Sequence, residues 1–229
     1  RGDAARARVV EVAVGDAQLA LACDWGVGIG GDLWSTGLQL VKHMCSSTDL
    51  YRQLLQGRRV LELGSGTGLV GLALAALFDA AHVVISDTEE HVQGLIGHNV
   101  RSNAALMRAP VAARELDWNE LDNVDVLLEE FGASGGFDVV LGTDVVYHRS
   151  LYRPFINALS RTLHRGGVAI VGVTKSDTDA AFFAMLQERG LSPKRMPDAS
   201  MAREYRSSGY ALFMVTHLHH APPASSSPP

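Results

Sequence analysis

The chain has 229 residues, 47% of them hydrophobic, with 25 acidic against 20 basic side chains and a formal net charge of −5 at pH 7. That length accommodates one α/β domain with a large core; the negative balance argues against a protein built mainly to grip phosphate backbones and suits a basic target such as a lysine side chain. Cys23 and Cys45 lack metal-ligand spacing and read as reduced thiols of an intracellular protein, and no apolar run is long enough to span a membrane.

In chain order, residues 1–8 read as a flexible start without a signal-peptide layout, and Arg1-Gly2-Asp3 as a chance tripeptide. Residues 9–14 and 17–22 alternate with period two around Gly15-Asp16, which predicts a β-hairpin extending or covering the main sheet. Residues 26–31 hold four glycines and read either as a lid or as a plain connector. A helix over 32–44 follows, with Asp32 as N-cap and Leu33, Gly37, Leu40, Val41 and Met44 on its core face, and a second short helix over 49–56.

The organising stretch is Val60-Leu61-Glu62-Leu63-Gly64-Ser65-Gly66-Thr67-Gly68-Leu69-Val70-Gly71, ahead of an Ala/Leu-rich run. It predicts a buried strand, a glycine turn that lets a ligand approach the backbone, and a helix whose free N–H groups face the same spot. Gly66 to Gly71 also satisfies the dinucleotide pattern G-x-G-x-x-G. Glu62, inside the strand, favours a different ligand, because a carboxylate there accepts from an amino group that S-adenosylmethionine has and NAD lacks at that end. Residues 82–87 form the next strand, and its terminal Asp87 suits both hydroxyls of a ribose.

A helix over 89–103 carries Val92, Leu95, Ile96 and Val100 as its apolar stripe, and a third strand over 110–116 runs into Asp117-Trp118. Trp118 then lies at a strand end, where an adenine ring needs a wall. Residues 121–131 predict an irregular helix. The strand 137–143 leads into Asp144-Val145-Val146-Tyr147, an acid and an aromatic just past a strand C-terminus, facing the ligand crevice. A helix over 151–163 ending at Gly166-Gly167, a fifth strand over 168–173, a helix over 180–189 and a final strand over 210–217 complete a doubly wound, mostly parallel α/β sheet. His217, His219 and His220 alternate faces with no acid or cysteine beside them, so no metal site is expected. One domain is expected over 9–220 (hairpin and helices over 9–57, cofactor-binding core over 58–220), and 221–229 as a disordered tail.

Glu62 to Gly68, Asp87, Asp144 to Tyr147, Trp34 after its glycine-rich approach and Leu116-Asp117-Trp118 occur in the order of a known family. Over about residues 30 to 190 the chain resembles the seven-β-strand, S-adenosylmethionine-dependent protein-lysine methyltransferases (methyltransferase family 16, the methyltransferase-like group). The resemblance implies a Rossmann-like class I methyltransferase sheet of seven strands, the last antiparallel. It also implies a cofactor site of Trp34, Glu62, Gly64, Ser65, Gly66, Gly68, Asp87, Trp118 and Thr143, with Asp144 and Tyr147 holding the target lysine. S-adenosylhomocysteine is the implied product.

A protein substrate, a monomeric state and a cytoplasmic location, with the nucleus as a second one, belong to the same expectation; membrane and nucleic-acid partners do not. The rival readings are a methyltransferase of this fold acting on a small molecule or nucleic acid, a silent binding module, and an NAD oxidoreductase. The intact acids and glycines speak against the module, and no hydride-transfer acid/base pair supports the oxidoreductase.

Overall fold

Alternation along the central strands decides the architecture. In the computed structural model, which describes residues 8–218, strand β3 (Arg59–Leu63) buries Val60 on one face and Leu61 and Leu63 on the other. Strands β4 (His82–Asp87) and β6 (Phe137–Thr143) do the same, with Val83, Ile85, Val139 and Leu141 on the first face and Val84 and Val140 on the second. A sheet apolar on both faces needs a helical layer on each.

The sheet has seven strands in the order β5-β4-β3-β6-β7-β9-β8, where β5 is Val111–Glu115, β7 Leu163–Thr174, β8 Leu191–Arg195 and β9 Tyr210–His217. The first five are parallel; β9 runs antiparallel to both β7 and β8. The chain winds outward from β3 to β5 and returns to β6 on the other side of β3, leaving a topological switch point between β3 and β6.

Helices α1 (Ser35–Ser46), α2 (Thr48–Leu55) and α3 (Leu69–Leu77) cover the first face. The same layer contains α4 (Glu89–His91), a π-helical turn Val92–Ile96 and α5 (Gly97–Ser102). Helices α6 (Val124–Glu130), α7 (Tyr152–Thr162) and α8 (Ala180–Glu188) cover the second.

The hairpin forms as expected, β1 (Arg8–Val14) pairing with β2 (Ala17–Cys23), but it packs on the helical layer and neither extends the main sheet nor covers it directly. Val14, Leu19 and Leu21 bury against the α1–α3 core. Two asparagines one helical turn apart fasten it. Asn99 Oδ1 accepts from Ala22 N at 2.8 Å while its Nδ2 donates to Ala22 O at 3.1 Å, and Asn103 pairs with Ala20 in the same way at 2.9 and 2.9 Å. Side-chain amides thus satisfy an edge that a neighbouring strand would otherwise pair.

Four local expectations change. Asp32 does not cap the first helix: its carboxylate accepts from Arg8 and from Trp25 Nε1 (2.7 Å), and the helix begins at Ser35. The helix after β4 is interrupted by the π turn, which keeps Leu95 and Ile96 inward while Asn99 and Asn103 reach β2. Gly166-Gly167 does not end a helix; α7 stops at Thr162 and β7 runs on through both glycines, because a Cβ on Gly167 would meet Asp138 O at 2.7 Å. Strand β8 was not predicted: it is a short edge strand containing Pro193, where a missing N–H is tolerated. His219, His220, the start at 1–7 and the tail at 221–229 lie outside the described residues.

Candidate active site

The C-terminal ends of β3, β4, β6 and β7, with the segment after β5, open onto one cleft of about 780 Å³ at the switch point. That volume suits a nucleotide-sized ligand. Past β3 the chain turns through Gly64 and Gly66, both at positive φ (+66° and +58°). A Cβ on Gly64 would stand 2.8 Å from Trp118 Cζ2, and one on Gly66 would stand 2.7 Å from Gly30 O, so only glycine fits either position. Gly66 N donates to Asp87 Oδ2 at 2.8 Å, and Thr88 N to Asp87 Oδ1 at 2.8 Å. Each carboxylate oxygen keeps a further lone pair free, and Asp87 lines the cleft.

Glu62 is 2% exposed. The strand alternation puts it on the Val60 face, beneath the first turn of α3, where Gly71 N donates to Oε2 at 2.9 Å. A Cβ on Gly71 would come within 2.7 Å of that oxygen, so the residue allows the carboxylate to reach the helix. Burial pushes the Glu62 carboxyl up to about 8, against the opposing pull of the Gly71 amide and of Ser65. A buried carboxyl in that condition lacks a cation, and a ligand ammonium would restore its charged form.

Asp144 stands just past β6 at φ +57°, rare for a side chain other than glycine. Its Oδ2 accepts from Thr36 N (2.8 Å) and Gly37 N (3.3 Å), the free amides opening α1, and Thr174 Oγ1 lies 3.4 Å from Oδ1. Asp144 therefore does, from outside the helix, the capping that the sequence assigned to Asp32, Trp34 being the N-cap residue itself. Burial raises its pKa despite these donors. Tyr147 borders the same cleft and is 43% exposed.

Trp34, Ser65, Trp118 and Thr143 also line the cleft. Trp34 Nε1 donates to Ile29 O at 2.8 Å, and its ring packs edge-on against Trp25 at 5.9 Å. The segment over 26–31 forms two short 3₁₀ turns, and Ile29 and Gly30 reach the cleft wall. Trp118 rests edge-on against Phe155 at 5.4 Å. Gly68 is the exception: its φ of +81° starts α3, it faces Leu72 and Ile85, and it is not on the cleft wall. Sequence reading missed His91, Thr174 and Tyr210, which also line the cleft. Only His91 had a signal, its helical spacing of four from Asp87.

The wall carries the carboxylates Asp32, Glu62, Asp87, Asp117, Asp144 and Asp177 and, among the described residues, no lysine or arginine. Such a surface favours cations and repels phosphates. S-adenosylmethionine, with its ammonium, sulfonium and ribose, fits this donor and acceptor set: a cation-seeking Glu62, an Asp87 with free lone pairs and a glycine turn stripped of Cβ atoms. His217 is accounted for without a metal, since its Nε2 lies 3.2 Å from Leu163 O.

The sequence model of a protein family described as lysine methyltransferase matches residues 14–189. Protein N-lysine methyltransferase METTL21A of Danio rerio is 30% identical over 182 residues, 78% of this chain and 77% of that protein. The calmodulin-lysine N-methyltransferase of Arabidopsis thaliana is 32% identical over 69% of this chain and 43% of its own length. Protein-lysine N-methyltransferase EFM3 of Chaetomium thermophilum is 31% identical over 75% and 51%. The chain thus spans about half the length of these last two relatives. Among solved structures, the magnesium protoporphyrin IX methyltransferase of Synechocystis, with bound S-adenosylmethionine, superposes with a TM-score of 0.56 at 19% identity over 83% of this chain and 88% of that one. This is a likeness of fold.

Proposed function

The chain belongs to the lysine methyltransferase family, and from that premise we propose that its cleft transfers a methyl group from S-adenosylmethionine to the side-chain amine of a lysine in a protein substrate. The observation that carries the proposal is the wall of the cleft, rich in acidic side chains and, among the described residues, free of lysine and arginine, with the desolvated Glu62, Asp144 and Tyr147 all on it. Both the donor and the acceptor of this reaction are cations before the proton leaves.

When bound, S-adenosylmethionine supplies an electrophilic methyl on a sulfonium. Glu62 takes its ammonium and Asp87 its ribose hydroxyls, while Trp34, Gly64, Ser65, Gly66, Trp118 and Thr143 shape the rest of that half. Asp144 anchors the incoming lysine through Oδ1, since Oδ2 is committed to α1. Tyr147 walls the aliphatic stem and faces the cation. A free lysine titrates near 10.4, and a carboxylate alone would hold its proton. The two amides on Oδ2 weaken that hold, and the proton leaves to water before transfer. Most of the rate comes from holding the amine in line.

The same proposal includes a monomer acting in the cytoplasm and the nucleus, in keeping with the free thiols of Cys23 and Cys45. The test is transfer of a labelled methyl group from S-adenosylmethionine into a cell extract: label that resists nuclease and yields to protease supports a protein acceptor, and the reverse pattern defeats it.

A further inference from the structure

We propose that His91 is a second polar contact for the nucleoside half of the methyl donor, working beside Asp87; this rests on reading the cleft as an S-adenosylmethionine site. His91 sits one helical turn past Asp87, on α4, and its ring lines the cleft with a side chain 13% exposed. Its Nδ1 lies 3.2 Å from Thr88 Oγ1 and 3.8 Å from Asp87 Oδ1. Its Nε2 is buried and has no hydrogen-bond partner among the described residues. Buried polar atoms of this kind are seldom left unmatched. Nδ1 already has the Thr88 hydroxyl beside it, so Nε2 is the ring's free polar atom, and in the tautomer protonated there it is a donor lacking an acceptor.

The surroundings say what class of acceptor is missing. Nε2 faces Gly30, where a Cβ would stand 2.6 Å away, and Gly30 O in turn lies over Gly66, whose amide holds Asp87. One corner of the cleft therefore joins Gly30, Gly66, Asp87 and His91. The Asp87 carboxylate can only accept, so it serves the nucleoside's donors, the ribose hydroxyls among them. A nucleoside also carries acceptors, its ring nitrogens and ribose oxygens, and His91 is the donor in this corner that can meet one. The segment over Nε2 has glycines at 26, 28, 30 and 31, and the proposed contact requires Gly30 to shift so that the atom meets the cleft.

The test is the dissociation constant of S-adenosylhomocysteine by calorimetry, with 5′-methylthioadenosine, which lacks the amino-acid half, measured in competition. Wild type is compared with His91→Leu and His91→Gln. His91→Leu should weaken both ligands by about tenfold, equivalent to one hydrogen bond. His91→Gln, whose amide N–H reaches the Nε2 position, should stay within about threefold of wild type. If His91→Leu folds poorly, His91→Asn, which matches Nδ1 and not Nε2, takes its place and should weaken both ligands alike. Wild-type affinities in the Leu or Asn variant, loss of the homocysteine ligand alone, or equal losses in the Leu and Gln variants would each overturn the inference. Failure of wild type itself to bind S-adenosylhomocysteine would instead defeat the cofactor reading on which it rests.

Discussion

The Asp144 carboxylate and the Thr36 amide, 108 positions apart in sequence, meet at 2.8 Å. The acid proposed to hold the substrate lysine thus also caps the open amides of α1 from outside the helix, and it does so at φ +57°. A functional carboxylate fixed by backbone donors cannot swing away, which is how a site keeps one reacting group in line.

Because of this double role, Asp144→Ala and Asp144→Asn should differ. The alanine variant loses the cap and the side-chain hydrogen bonds that offset the left-handed backbone at this position, so thermal unfolding should show a loss of about 1–2 kcal/mol along with lost activity. Asparagine tolerates that backbone and keeps an acceptor for Thr36 and Gly37. It should hold stability and S-adenosylhomocysteine affinity near wild type while methyl transfer falls at least about tenfold. An asparagine variant with full turnover would show that charge at Asp144 is not used.

Glu62 should trade stability against binding. Burial raises its carboxyl from the ordinary value of 4.5 to about 8, so between those values the folded protein holds a proton that the unfolded chain has released. The contribution of Glu62 to stability is full below the lower value, declines as pH rises through the window, and is lost above about 8. Glu62→Gln should remove this slope and raise the melting temperature of the ligand-free protein at pH 8 by on the order of a few degrees, while weakening cofactor binding at least about tenfold. Thermal scans across pH with calorimetry on the same samples check it; an unchanged pH slope would mean that Glu62 is already ionised.

Proton release should accompany binding for the same reason. A ligand ammonium at Glu62 favours the carboxylate, so at pH 7 cofactor binding should expel a fraction of a proton, visible as a dependence of the calorimetric heat on the buffer's ionisation enthalpy. That dependence should vanish in Glu62→Gln if the variant retains any affinity.

The hairpin's attachment is open to a separate check. Asn103 Oδ1 accepts from Ala20 N, and its Nδ2 donates to Ala20 O and Asn99 O. Asn103→Ala leaves Ala20 N and Ala20 O unmatched, while Asn99 O keeps its bond from Asn103 N, and should cost about 2 kcal/mol in urea unfolding. A leucine of similar size should not recover it, whereas recovery would mean that packing, and not hydrogen bonding, holds the hairpin.

Much of the site was readable because local rules fix it. A carboxylate inside an apolar strand, two residues before a glycine turn, has one face to occupy, and that face lies under the following helix; hence Glu62 and Asp87 stand where their spacing puts them. What escaped depends on partners distant in sequence. Asp32 had the right type and position for a cap, yet Arg8 and Trp25 claim its carboxylate and Asp144 takes the vacant amides. Tyr210 reaches the cleft because β9 pairs it with Thr174, a register no local pattern encodes. Strand β8 is short, polar and interrupted by Pro193, so it depends on β9 for its existence.

The most direct measurement incubates the purified protein, or its Asp144→Asn variant, with isotope-labelled S-adenosylmethionine and a protein extract from the source cells, and maps the label by peptide mass spectrometry. Label on the side chain of a lysine in one or a few proteins, present with wild type and lost with Asp144→Asn, is the predicted result. Label confined to RNA or small molecules, or lysine label that survives Asp144→Asn undiminished, would contradict it.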